Sequence, residues 1–460
     1  MSSLSAADLQ TRLDEGLARV AAPGASVGVL VDGDVVAAAS GVANIGTGEP
    51  VTTDTLFQIG SITKVWTATQ VMQLVDEGLL DLDAPVADYV TGLDLGNADA
   101  TKTVTARHLL AHSSGIDHAH MFDTGRGDDA LAGYVATIAQ AGQLWPSGTN
   151  TSYCNSGYVL LGRIIEVLRE NVWDLGVHQN LVAPLGLGHT ETLPERVLRH
   201  RAAIGHMLDE SGTPVLPPEW GLPRGVGPAG LICSTPADVL AFAAAHLSGG
   251  GDLLSGASVD AMQAAQPLGN EAIGGGPHGL GWALSDWNGT RIVGHDGGTP
   301  WQLAYMRLAP EARVAFVLLT NGPSKALFEE LCAWVFAEVA GIEMTPPVRA
   351  SATPPTADEL APALGRYWSL TSAFDIAPHP DGDGLVIKAY DPAVIGPTDP
   401  LPDDVYTERL GAVDATTFLL ASPYTGTHIV LTVADPDPAT GRYRWGHLSG
   451  RAAPRVGDQS

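Results

Sequence analysis

Apolar residues recur every three to four positions over residues 5–20, placing Leu9, Leu13 and Leu17 on one face. That period predicts an amphipathic helix. Residues 25–31 and 35–39 then form two apolar runs around Asp32-Gly33-Asp34. Asp-Gly supplies the geometry of a tight turn, so this segment predicts a β-hairpin. An apolar run at 55–59 reads as a strand entering a second helix, whose stripe of Val65, Ala68, Met72 and Val75 ends at Gly78. Residues 80–230 are mostly helix and loop, including a helix at 157–168. Strand patterns return at 291–294, 303–308 and 314–320, and a closing helix is predicted at 325–339. Strands at both ends with helices between them predict one antiparallel sheet packed on a helical subdomain, with a groove between the two.

The pattern changes after residue 343. A Pro-rich run from Met344 to Pro355 reads as a semi-extended linker. Beyond it, short strand candidates at 374–376, 385–389, 416–420 and 428–433 are punctuated by Asp381-Gly382-Asp383-Gly384 and Ala439-Thr440-Gly441. Regular short strands favour a small barrel or sandwich. The expected organisation is a catalytic domain at 1–343, a linker at 344–358 and a second domain at 359–460.

Composition narrows the function. With 51 acidic against 24 basic side chains, the formal net charge is −27. Such a surface repels phosphate backbones and acidic headgroups, so neither nucleic acid nor a membrane is an expected partner. No run approaches the ~20 apolar residues of a membrane span. The first residues lack the cationic and apolar regions of a signal peptide. The three cysteines, Cys154, Cys233 and Cys332, are an odd count without framework spacing. A reducing, cytoplasmic setting is the expectation.

Three short motifs carry chemistry. In Gly60-Ser61-Ile62-Thr63-Lys64, helical spacing puts Ser61 and Lys64 on one face at a helix N-terminus. A weak nucleophile thereby gains a base and a positive field. The bland reading of Ser61 is a helix N-cap. Tyr153-Cys154-Asn155 follows a turn-rich segment and precedes a helix; Asn155 alone would pass as a turn residue. Alternation points Cys154 away from its neighbours' face, into packing. The third motif is His295-Asp296-Gly297-Gly298, after the strand at 291–294. Its glycines permit close backbone approach.

In this chain order, the motifs resemble those of the penicillin-recognising serine hydrolases. That superfamily includes class C β-lactamases, D,D-carboxypeptidases, esterases, D-aminopeptidases and some peptide cyclases. Tyr-Cys-Asn and His-Asp-Gly depart from the class A pattern and are closer to the class C and esterase branch. The stretches around Phe57-Gln58-Ile59, Leu109 to Ile116, Tyr158 to Glu166 and Leu318 to Gly322 extend the resemblance over about residues 5–340. It implies an α+β, β-lactamase-like fold, and some relatives carry a lipocalin-like β-barrel where this chain has its C-terminal strands.

The resemblance also implies roles. Ser61 would be the nucleophile, and Lys64 and Tyr153 would share proton handling. A lysine within a cleft has its pKa lowered, and a tyrosine flanked by cations can have its own lowered too. Which of the two deprotonates Ser61 stays open. Asn155 would bond both the lysine and a substrate carbonyl. His295 would meet a substrate carboxylate or the Tyr153 hydroxyl, with a charge that follows pH. The backbone N–H groups of Ser61 and Gly298, beside Gly297, would form the oxyanion hole.

No cofactor or metal is expected. His112, His118 and His120 share a loop without matching Cys or Glu ligands. Gly274-Gly275-Gly276 lacks the context of a phosphate loop. The expected activity is transfer of an acyl group from a small ester, amide or peptide to Ser61 and then to water. One alternative is a penicillin-binding-protein-type thioesterase, which takes a peptide thioester from a carrier protein and lets the peptide's own amine resolve the acyl-enzyme. Another is a sensor that is acylated and stalls. Arg451, in the tail Trp445-Gly446-His447-Leu448-Ser449-Gly450-Arg451, is a cation within reach of the cleft or of a structural ion pair.

Overall fold

The computed structural model describes residues 4–118, 123–267, 276–382 and 384–457. His120, Gly274, Gly275 and Asp383 lie outside the described residues. The first helix, α1 (Ala6–Leu17), is capped by Ser5, whose side chain accepts from the Asp8 N–H. Its leucines are buried. The hairpin follows as β1 (Gly24–Val31) and β2 (Asp34–Asn44). Asp32 and Gly33 both take positive φ, 48° and 96°, the pairing that lets a two-residue turn match strand twist. A short strand, β3 (Glu49–Pro50), borders β2.

The sheet is completed from the distant end of the chain by β4 (Ala283–Trp287), β5 (Thr290–Thr299), β6 (Gln302–Ala309) and β7 (Val314–Thr320). The order is β4-β5-β6-β7-β1-β2-β3, antiparallel throughout. One face buries Val27, Val29, Phe316 and Leu318 with α1 and the closing helix Lys325–Ala340. The other packs on the helical region. There, Gly28 is required by contact: a Cβ on it would lie 2.8 Å from Leu240 and 2.9 Å from Pro236, both in the helix Pro236–Leu247.

Two elements frame the groove. The helix α2 (Thr63–Asp76) is preceded by a single 3₁₀ turn, Gly60–Ile62. The strand expected at 55–59 reduces to Phe57–Gln58, paired with Cys233–Ser234; beyond it, the Ile59 N–H donates to the Ile232 carbonyl. The helix α3 (Asn155–Arg169) runs alongside α2.

The C-terminal strands form an eight-stranded antiparallel meander: β8 (Gly365–Trp368), β9 (Ala373–Pro378), β10 (Leu385–Tyr390), β11 (Thr407–Ala412), β12 (Thr417–Ser422), β13 (Thr427–Pro436), β14 (Tyr443–Leu448) and β15 (Arg451–Pro454). A bridge between Tyr367 and Arg455 brings its ends together. The result is a nearly closed barrel filled by Phe374, Ile387, Phe418, Leu431 and neighbours. The β-barrel that the resemblance implied is present, and four of its strands, β8, β11, β14 and β15, lie outside the strand candidates of the sequence. Residues 344–355 form neither helix nor strand and are tied to the barrel by the Ser351 N–H on the Ala412 carbonyl.

Barrel turns dock on the larger unit at several points. The Tyr153 N–H donates to the Gly450 carbonyl at 2.9 Å, and the Ala452 N–H to Ser152 Oγ at 3.0 Å. Leu370 N–H donates to Asp117 at 2.7 Å, and the Tyr424 hydroxyl to the Thr299 carbonyl at 2.7 Å. Trp145 and Trp445 meet edge to face. Among the described residues, no helix is long and apolar enough to cross a membrane.

Candidate active site

Lys64 Nζ stands 2.9 Å from Ser61 Oγ and donates to the Ala229 carbonyl at 2.7 Å. The spacing works because the 3₁₀ turn runs into α2 without a break, stacking the two side chains on one face. Lys64 has no solvent exposure. Burial, and then the Arg451 guanidinium, hold its pKa well below the usual lysine value. A neutral amine keeps one lone pair, which is the acceptor an O–H of Ser61 needs.

The Tyr153 ring lies beside Lys64, with Nζ 4.8 Å from its centroid. Burial pushes the phenol up to about 12, outweighing its contact with Ser61 and the pull of Arg451. The expectation of a tyrosine lowered by cations therefore fails here, because desolvation of the phenolate is the larger effect. Residues 151–154 are pinned from both sides. His112 accepts from the Cys154 N–H and lies tilted against Tyr153 with ring centres 4.4 Å apart, while the barrel holds the Tyr153 N–H. Cys154 packs in the core, as alternation implied.

Asn155 is nearly buried at the first position of α3. The bonds of Lys64 go to Ser61 and Ala229; an Asn155–Lys64 bond is not among those of the described residues. The Nδ1 of His295 lies 2.6 Å from the Asp296 carbonyl oxygen. A carbonyl only accepts, so Nδ1 carries the proton and Nε2 is left as an acceptor. Burial, reinforced by Lys64, pushes this imidazole down to about 3. The expected pH-dependent charge is therefore replaced by a neutral ring across the physiological range.

The β4 ladder ends at Ala283–Gly294, so the rest of β5 presents an edge to the Ser61 turn. A Cβ on Gly297 would overlap the Ile59 carbonyl, and one on Gly60 would sit 2.6 Å from the Gly298 nitrogen. Only glycines allow this approach. A side chain at Gly298 would meet the Tyr424 hydroxyl of the barrel at 2.7 Å. His112 and His118 are buried at separate places, and among the described residues no cluster of metal-ligating side chains occurs.

Two residues complete the cavity of about 320 Å3 that holds Tyr153 and His295. Arg451 lies with its guanidinium 5.3 Å from the Tyr153 ring centre, and no carboxylate pairs with it among the described residues. The chain distance to Tyr153 hid this contact, although the barrel's tail stood out as cationic. His278, whose ring is 5.7 Å from that of His112, carried no sequence signal.

Fold and site together define a β-lactamase-fold serine hydrolase. A Beta-lactamase family profile matches residues 9–340. The chain belongs to that family. It is 44% identical over 354 residues to Penicillin-binding protein 4 of Amycolatopsis lactamdurans, covering 75% of this chain and 93% of the relative. Among solved structures, SurE superposes over 98% of this chain and 99% of its own, with a TM-score of 0.76 and 26% identity. The same protein with D-Leu gives a TM-score of 0.75. The D-amino acid amidase of Ochrobactrum anthropi SV3, complexed with L-phenylalanine amide, covers 68% of this chain and 90% of its own at 27% identity and a TM-score of 0.58.

Proposed function

We propose that the protein cleaves an amide or ester bond in a small, peptide-like substrate through an acyl-Ser61 intermediate that water resolves. The observation that carries this reading is the buried, charge-disfavoured Lys64 amine 2.9 Å from Ser61 Oγ. In the proposed cycle, Lys64 takes the Ser61 proton as Oγ attacks the carbonyl carbon. The oxyanion is met by the N–H groups of Ser61 and Gly298, whose turn and strand are in contact. Donors of this kind contribute about 3–4 kcal/mol each to the transition state. Tyr153, still protonated well above neutrality, is suited to act as an acid. It gives its proton to the departing nitrogen and recovers one from the Lys64 ammonium. Water then attacks the ester with the same groups reversed.

Arg451 favours a substrate with a carboxylate near the scissile bond, a guanidinium being a bidentate carboxylate partner. Its place beside Tyr153 favours the carboxylate of the residue that leaves. Relatives whose names or complexes carry D-amino acids favour a D-configured residue there. The test is an N-acylated dipeptide ending in a D-residue, offered as free acid and as amide. Acylation of Ser61 with Arg451→Gln raising KM for the free acid alone supports the reading. Equal kinetics on both forms removes Arg451 from it.

A second reading shares the chemistry: an amine of the substrate, delivered as a carrier-bound thioester, resolves the acyl-enzyme. The wall that the barrel builds beside Tyr153 favours it, because a walled cleft can seat an acceptor. A cyclic product from a peptide thioester would select it over hydrolysis, and an acyl-enzyme that never turns over would instead select a sensor.

A further inference from the structure

The barrel does not lie flush on the sheet. Between the outer face of β13–β14 and the Leu303–Tyr305 face of β6 lies a cavity of about 420 Å3. Gly446 faces the barrel interior, against Phe374 and Tyr367, so the alternation of β14 turns its neighbour His447 outward into this cavity. His447 is 1% exposed, yet neither ring nitrogen has a hydrogen-bond partner. Thr432 stands directly opposite His447 in the ladder, and its buried Oγ1 is likewise without a partner. Buried polar groups are nearly always bonded. Two adjacent exceptions on one cavity wall offer a ligand a donor, an acceptor and a hydroxyl.

The rest of the lining restricts the ligand's charge. The Asp296 carboxylate is engaged by Arg307 at 2.6 Å, and the Lys325 ammonium by the His428 carbonyl at 3.0 Å. Burial pushes the His447 ring down to about 3, so it stays neutral. Leu303, Ile429 and Val430 add apolar surface to the wall, and the Tyr424 hydroxyl is taken by the Thr299 carbonyl. Asp296 and Ser449 belong also to the walls of the cavity that holds Tyr153, His295 and Arg451, so the two spaces adjoin.

We infer that this cavity is the side-chain pocket for the residue released on cleavage, and that His447 and Thr432 select a long, uncharged side chain ending in a hydrogen-bonding group, of the glutamine or tyrosine type. The inference rests on the reading that Arg451 holds that residue's carboxylate. A residue so held presents its side chain past Ser449 toward His447.

The experiment compares N-acyl dipeptides ending in D-Gln, D-Tyr, D-Leu and D-Ala. With wild type, kcat/KM for the D-Gln or D-Tyr substrate is expected to exceed that for D-Leu about tenfold or more, since a site built to hydrogen-bond rejects the analogue that cannot. His447→Leu is expected to collapse that ratio, and Thr432→Val, which keeps the shape, to reduce it. In the Ser61→Ala protein, the imidazole 15N signals of His447 should move on binding the D-Gln dipeptide and stay still with the D-Ala one. Acylation of Ser61 by all four substrates at equal kcat/KM overturns the inference and leaves the functional reading standing. A ratio unchanged in a folded His447→Leu, or His447 signals unmoved by a bound D-Gln dipeptide, also overturns it. Absence of any acyl-Ser61 adduct with every substrate overturns the functional reading, and the inference falls with it.

Discussion

Lys64 makes the site's first quantitative demand. Its ammonium is disfavoured by burial and by Arg451, so the reactive amine is available at a pH where a surface lysine is fully charged. The expected kcat/KM profile rises with pH along one acidic limb that belongs to Lys64, at a pH below the ordinary lysine range. Arg451→Gln removes a neighbouring cation and should shift that limb upward. His295 adds no limb between pH 5 and 8, because its ring is already neutral there. A limb in that window that disappears in His295→Gln would contradict this assignment. Lys64→Ala is expected to lower kcat/KM by about 10³-fold or more, since groups that act as a unit lose most of their effect together.

At the scale of elements, the contact between the Gly60 turn and β5 sets the geometry, and the barrel leans on it through Tyr424. Gly298→Ala should place its methyl against the Tyr424 hydroxyl, while the ring carbons stand farther back at 3.5 Å. The single variant is therefore expected to lose activity about tenfold or more, and Tyr424→Phe to restore part of it in the double variant. No recovery would mean that Gly298 is needed for another reason. Much of this frame was legible in the chain. Helical spacing paired Ser61 with Lys64, and apolar runs bounded by turn residues found β1, β2, β6 and β7. The strand at 55–59 was overread because burial, which makes its residues apolar, here encloses a turn instead of a ladder. Tyr153's pKa and His295's neutrality were not legible, since both follow from desolvation by residues far along the chain. Arg451 was visible as a cation but not as a neighbour of Tyr153.

For the whole molecule, the docking of the barrel on the helical region carries its own pH dependence. Asp117 is 4% exposed, accepts from the Leu370 N–H of the β8–β9 turn, and is pushed up to about 6 by burial. A carboxyl with a raised folded pKa adds stability below its unfolded value, near 3.9, and that stability is lost as pH rises through about 6. The stability difference between wild type and Asp117→Asn should therefore shift against wild type across that window, by on the order of 2–3 kcal/mol. Denaturant titrations of both proteins at pH 4 and pH 7 read the difference. A difference that is the same at both pH values would show that Asp117 is not the titrating contact.

The most direct test of the central claim is intact-mass spectrometry on protein quenched shortly after mixing with a short-chain nitrophenyl ester or a D-residue-terminated N-acyl dipeptide. A transient mass increment equal to the acyl group, mapped to the peptide containing Ser61 and absent in Ser61→Ala, is the predicted result. Undiminished turnover by Ser61→Ala, or an adduct on another residue, would contradict it and return Ser61 to the role of a helix-start serine.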